Sequence, residues 1–298
     1  MTLRLAVIGD LHYSVDLSDA SLSSLRDTYF SQLLRTFFAH DADLHIALGD
    51  VTHRGQVQEW AFIHRMTSEL AEQYGRRFRF VLGNHDSLTE PKTAVLGQTG
   101  QFRYVFEDHS ECRLVFLDTT GDPTPTNWGG MVDEAQLCWL SGLGPADGRP
   151  LLVFGHHPIA HTTWASDMPM MFLANGDQVA SRLEGMATQI IYFNGHNHVH
   201  SIAQQRRDHA DWTYVQLAAS VQSTTYQSVS INEQDVSIET YQCSPSILNL
   251  AESYCSAIPG FMKVENPLGG ERDRQVQVSL DGGATVPVSF VSPQETAP

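Results

Sequence analysis

Residues 44–50 read Leu44-His45-Ile46-Ala47-Leu48-Gly49-Asp50, and this short apolar run closed by Gly-Asp decides the fold. A run of this length, bounded by a turn pair, reads as a buried strand. The same construction occurs upstream, where Leu3–Ile8 is apolar apart from Arg4 and ends in Gly9-Asp10. It occurs again downstream, where Phe78–Leu82 ends in Gly83-Asn84-His85-Asp86. Between the first two strands, Leu22, Leu25, Tyr29, Leu33 and Phe37 recur at helical spacing. Trp60, Ile63, Leu70 and Tyr74 line one side of a second helix. The alternation is βαβαβ, which predicts an α/β fold with ligands at the carboxyl ends of parallel strands.

Further along, Phe102–Phe106 and Arg113–Leu117 predict a hairpin, and Asp133–Leu143 a short helix. Leu151–Phe154 reads as a strand ending in Gly155-His156-His157, and Ile190–Phe193 as one ending in Asn194-Gly195-His196-Asn197-His198. Residues 159–175 are expected to be a long connection, either a lid or a loop packed down by Trp164 and the methionines. Trp212–Leu217, Ser228–Ile231 and Val236–Tyr241 alternate and are expected to be antiparallel. The expected division is one domain over 1–241 and a C-terminal appendage over 242–298. That appendage is read as partly disordered or as a small β unit built from Gln275–Ser279 and Val286–Val291.

Composition removes several classes. Hydrophobic residues make up 42% and charged residues 17%, which argues against a disordered chain. No apolar run approaches the length needed to span a bilayer. There are 34 acidic against 18 basic residues, for a formal net charge of −16. Only two residues are lysines, Lys92 and Lys263. That surface is poorly matched to long nucleic acids, whose affinity comes from Lys and Arg replacing counterions. The amino terminus lacks the pattern of a cleaved leader, and Cys112, Cys138, Cys243 and Cys255 form no C-x-x-C pair. The expected setting is cytoplasmic, with free thiols. Homo-oligomerisation is left open.

The chemistry lies at the strand ends. Asp-x-His or Gly-Asp alone serves more often as a turn or a helix cap. Here Asp10-Leu11-His12, Gly49-Asp50, Gly83-Asn84-His85-Asp86, Gly155-His156 and Gly195-His196-Asn197-His198 all fall at carboxyl ends of strands in one α/β unit. Seven side chains then offer oxygen or nitrogen to a metal: Asp10, His12, Asp50, Asn84, His156, His196 and His198. Carboxylate, amide and imidazole without thiolate suit manganese, iron, zinc or cobalt, and we favour the first two.

In this order the blocks resemble the calcineurin-like metallophosphoesterases, from Asp10 to His198. That resemblance implies a four-layer α/β/β/α sandwich of two mixed sheets flanked by helices. It implies two divalent ions, the first on Asp10, His12, Asp50 and His198. The second would sit on Asn84, His156 and His196, with Asp50 bridging. His85 would be the catalytic histidine beside the scissile phosphate, with Asp86 as its partner, and Asn84 would also contact substrate. The implied reaction is attack by a metal-bridging hydroxide, with Asp50 holding the bridge.

The run Gly49-Asp50-Val51-Thr52-His53-Arg54-Gly55-Gln56-Val57-Gln58-Glu59-Trp60 is similar to bacterial class III cyclic-nucleotide phosphodiesterases and glycerophosphodiesterases. A small phosphodiester is therefore the expected substrate. Arg54 occupies the place of a phosphate-gripping arginine in protein phosphatases, which keeps a phosphomonoesterase as the alternative. A catalytically inactive interaction scaffold is a third reading, disfavoured because all seven ligand positions and His85 are present.

Overall fold

Leu3–Ile8 forms the first strand (β1), and its neighbour Leu44–Ala47 (β2) runs parallel to it. Arg77–Phe80 (β3) extends the parallel set. The helices Ala20–Ala39 (α1) and Val57–Tyr74 (α2) make the crossovers. The computed structural model describes residues 2–124 and 126–280. The remaining described α-helices and strands are Lys92–Thr99 (α3), Val105–Asp108 (β4), Arg113–Phe116 (β5), Glu134–Gly142 (α4), Leu151–Phe154 (β6), Gly176–Glu184 (α5) and Gln189–Asn194 (β7). They continue with Ser201–Arg207 (β8), Ala210–Gln216 (β9), Ser220–Ser223 (α6), Thr225–Ile231 (β10), Asp235–Gln242 (β11), Pro245–Cys255 (α7) and Gln275–Ser279 (β12).

Two six-stranded sheets result, ordered β12-β11-β10-β1-β2-β3 and β4-β5-β6-β7-β9-β8. Three apolar cores show how they stack. Leu5, Val7, Ile46, Phe116, Phe154, Phe193 and Val229 are buried between the sheets. Tyr29, Leu33, Phe37, Trp60, Ile63 and Tyr254 bury α1, α2 and α7 on the outer face of the first sheet. Leu137, Leu140, Val179, Leu183 and Tyr192 do the same for α4 and α5 on the second. The order is helix, sheet, sheet, helix, as expected. Strands buried on both faces explain why Leu3–Ile8 and Leu151–Phe154 read as continuous apolar runs rather than alternations.

The structure departs from expectation at several elements. The hairpin's first strand begins at Val105, and Phe102 lies outside it, largely exposed. The segment around Trp212 is not a neighbour of β10. It lies in the second sheet, parallel to β7 and antiparallel to β8. β8 answers to no expected element, because Ser201–Arg207 is a polar edge strand, exposed at its centre. α7 lies in the expected appendage, where Ser244, Pro245 and the spacing of Ile247, Ala251 and Tyr254 form a helix start and an apolar face. α7 packs on α1, and β12 pairs antiparallel with β11. The expected strand at Val286–Val291 lies outside the described residues.

His45, which matches no ligand block, sits in β2 facing α1. Its Nε2–H donates to the Phe37 carbonyl at 3.0 Å, and its ring stacks on Phe38. Burial lowers its pKa to about 4, against a weaker upward pull from that hydrogen bond. The folded-state value is below the unfolded value of about 6.5. The stability held by the neutral ring is therefore full above pH 6.5 and drains away as pH falls toward 4. The contribution is on the order of 2–3 kcal/mol. His45→Gln keeps a donor for Phe37 and should show a shallower loss of stability over that window, measured by denaturant unfolding at stepped pH.

Candidate metal centre

The strand ends meet at one edge of the sandwich. β1, β2 and β3 bring Asp10 and His12, Asp50, and Asn84 with His85 from the first sheet. β6 and β7 bring His156, His196 and His198 from the second. Asp10, His12, Asp50, Asn84, His156 and His196 are buried, and the His198 side chain is 16% exposed. Five of the seven adopt the left-handed backbone: Asp10 (φ 48°), His12 (48°), Asp50 (47°), His196 (71°) and His198 (63°). For non-glycine residues this costs roughly 1 kcal/mol each, and such strain gathers where geometry serves function.

Neighbouring glycines permit the packing. A Cβ on Gly83 would collide with the backbone nitrogen and Oδ1 of Asp50. A Cβ on Gly195 would collide with the Asp10 carboxylate. The backbone amides of His85 and His196 then donate to Asp50 (2.8 Å) and Asp10 (3.1 Å).

Carbonyl groups assign the ring protons. His156 Nδ1 lies 2.7 Å from the Leu48 carbonyl, and His196 Nε2 lies 2.9 Å from that of Met170. A carbonyl only accepts, so both of those nitrogens carry hydrogen. His156 Nε2 and His196 Nδ1 therefore turn inward, 3.3 Å apart. Asn84 Oδ1 is 3.1 Å and Asp50 Oδ2 3.3 Å from His156 Nε2. With the His156 ring neutral, four acceptor atoms converge with no donor between them, which is the chemistry of a cation site.

Asp10, His12, Asp50 and His198 form a second group whose ligand atoms lie within 4.8 Å of one another. His12 Nε2 is 3.2 Å from His198 Nε2 and 3.8 Å from Asp50 Oδ2. His198 Nε2 is 3.5 Å from Asp10 Oδ1. Asp50 faces both groups. The residues present thus fit a pair of divalent ions.

The electrostatics agree. Burial opposes charge on His156, but the Asp50 carboxylate overcomes it and raises the pKa to about 9. Asp50 is held well below the usual carboxylate range; burial pushes it upward, and His156 and His85 win. Burial, then His85, lowers His12, and burial, then His156, lowers His196 to about 3. Without a cation, a proton drawn to His156 is the charge that answers Asp50.

Asp86 and His85 are partnered differently from expectation. Asp86 does not touch the His85 ring. Its carboxylate accepts from Thr52 N, Thr52 Oγ1 and Gly83 N, each at 2.9 Å, and so clamps the loop after β2 to the loop after β3. His85 Nδ1 donates instead to the His53 carbonyl at 2.6 Å, leaving Nε2 without a hydrogen when the ring is neutral. His157, adjacent to the centre, has both nitrogens engaged. The Thr119 hydroxyl accepts from two backbone amides and donates to His157 Nδ1, while Nε2–H donates to the Trp128 carbonyl.

The Glu59-Trp60 pair shapes the loop rather than the chemistry. Glu59 is fully buried and accepts from the amides of Val15, Arg54 and Gln56. Trp60 Nε1 donates to the Asp86 carbonyl. Arg54 pairs with Asp16 at 3.0 Å, with half of its side chain exposed. Residues 159–175 are tied down through Thr163 to Gln216, Asn197 to the Trp164 carbonyl, and Leu173 to the Pro158 carbonyl.

A model of the calcineurin-like phosphoesterases matches residues 3–200, which is most of the chain and spans all five blocks. The chain belongs to the calcineurin-like phosphoesterase family. It is a metal-dependent phosphoesterase, and family members use a dinuclear divalent metal centre. A probable cyclic nucleotide phosphodiesterase of Rhodococcus erythropolis (strain PR4 / NBRC 100887) is 25% identical over 236 residues, covering 74% of this phosphoesterase and 73% of that protein. A dimetal phosphatase from Danio rerio shares the fold, with a TM-score of 0.59 at 13% identity over 80% of this chain and 95% of that one. No described helix is long and apolar enough to cross a membrane.

Gly83→Ala should cost roughly 3 kcal/mol and reduce divalent-ion uptake, because Asp50 must move. Gly97→Ala in α3 meets open space and should be neutral or stabilising by about 0.5–1 kcal/mol. Thermal unfolding and metal analysis of the two variants, side by side, check the contrast.

Proposed function

We propose that this phosphoesterase hydrolyses small phosphodiesters, of the cyclic-nucleotide or glycerophosphodiester type, at a binuclear centre. Asp10, His12, Asp50 and His198 would hold one ion, and Asp50, Asn84, His156 and His196 the other. Manganese or iron suits the donor set best. The carrying observation is the convergence of acceptor atoms on two adjoining positions with Asp50 facing both. The chemistry such ions supply when bound is Lewis acidity toward water and the phosphoryl group.

The chain's own residues do the rest. Asn84 and His85, at the end of β3, would contact the substrate phosphoryl group. His85 is oriented by the His53 carbonyl, so its Nε2 is the atom that can hold a proton for the leaving alkoxide. Asp50 is kept ionised by His156 and His85 and remains a fixed negative charge at the middle of the cluster.

Two observations favour a diester over a monoester. The relative from Rhodococcus erythropolis is named as a probable cyclic nucleotide phosphodiesterase. Arg54, the candidate grip for a terminal phosphate, is engaged with Asp16. The −16 charge favours a small substrate over a polyanion. The setting we propose is cytoplasmic.

Manganese-reconstituted protein should turn over cyclic AMP, a glycerophosphodiester or an aryl phosphodiester faster than an aryl phosphomonoester. A tenfold preference for the monoester would sink the diester reading. His85→Ala should retain both ions by metal analysis while losing roughly 10²–10⁴-fold in kcat. Asp50→Ala should lose metal, and two ions still tightly bound would refute its bridging place.

A further inference from the structure

The family match ends at residue 200, yet a segment far beyond it reaches the candidate centre. Tyr254, in α7, accepts a hydrogen bond from the Ser14 amide at 2.8 Å and donates to the His12 carbonyl at 2.9 Å. Phe261 lies edge-on to the His12 ring, with centroids 5.0 Å apart. It stacks on His198 at 5.2 Å and 15°. Between them, the Pro259 carbonyl lies 2.9 Å from Nε2 of His53, whose other nitrogen is 3.3 Å from His12 Nδ1.

These contacts fix a chain of protons. The Pro259 carbonyl can only accept, so His53 Nε2 carries the hydrogen. In the neutral ring His53 Nδ1 is then bare and must face a donor, which is His12 Nδ1–H. His12 is left with a bare Nε2, the atom turned toward His198 and Asp50. Reversing any one proton would put two lone pairs or two hydrogens face to face. His53 is 3% exposed, so water does not offer it another partner.

We propose that His53 is a positioning residue for His12, held in its tautomer by the Pro259 carbonyl, so that the segment from Tyr254 to Phe261 completes the metal centre. This rests on the proposed role of His12 as a ligand. Partners of this kind fix ring orientation and tune ligand basicity, and their loss typically costs 10–100-fold in metal affinity. Here the partner is a neutral imidazole rather than a carboxylate. It orients His12 while adding no charge to a cluster that already holds Asp10 and Asp50.

The test uses full-length apo-protein titrated with Mn²⁺ and, separately, Zn²⁺ by calorimetry. Wild type should bind two ions. His53→Phe should weaken one of them by 10–100-fold and leave the other unchanged. His53→Gln can donate to Pro259 and accept from His12, and should recover most of the loss. In ¹⁵N spectra of the Zn²⁺-loaded wild type, His12 should carry its proton on Nδ1 and His53 on Nε2. Unchanged affinities in a folded His53→Phe variant would overturn the role of His53 alone. A proton on His12 Nε2 in the wild-type spectrum would do so even if that variant failed to fold. Wild-type protein that takes up no divalent ion would overturn the metal-centre reading and this proposal together.

Discussion

The architecture of the site depends on strand ends that turn left-handed. In an extended strand, residues two apart share a face but stand about 6.6 Å apart along it, which would spread Asp10 and His12, or His196 and His198, rather than gather them. The left-handed conformation at Asp10, His12, Asp50, His196 and His198 folds each chain end back toward the seam between the sheets. Glycine at 83 and 195 lets the carboxylates of Asp50 and Asp10 lie against backbone where any Cβ would intrude. The strain is spread over both sheets. No single layer of the sandwich could sustain the cluster, because the Asp50 and His156 groups that answer each other come from different sheets.

Backbone carbonyls are the second organising element. Leu48 orients His156, Met170 orients His196, and the His53 carbonyl orients His85. Each is a main-chain atom, so its position follows from loop geometry rather than from the identity of a side chain. Met170 belongs to the long connection between β6 and α5, and its own backbone is left-handed (φ 66°). The anchoring of that loop through Asn197 and Gln216 therefore bears directly on where His196 points.

This explains which features were legible in the sequence. Strand ends punctuated by Gly-Asp, Gly-Asn and Gly-His are legible because glycine marks the close approaches and because the polar residues recur at five strand ends of one unit, which turns and caps do not require. The sheet-and-helix layering followed from the same apolar runs. The orienting atoms could not be read, since a carbonyl has the same chemistry at every position. Asp86 was misassigned because adjacency in sequence suggested contact with His85, whereas its side chain points back to Thr52 and Gly83. β8 was hidden by its polarity, and α7 by the composition of the tail around it. Its start signal at Ser244-Pro245 was nonetheless present.

The two halves of the centre are 72 residues apart in the chain even at their nearest, from Asn84 on the first sheet to His156 on the second. The first sheet itself closes only when β10 pairs with β1. Such distant contacts form late, because loop-closure entropy must be met before they bring any return. The cluster is complete only when both sheets have packed together. A cation bound there would stabilise the assembled sandwich and neither sheet by itself, so that metal uptake and the packing of the two layers become one equilibrium.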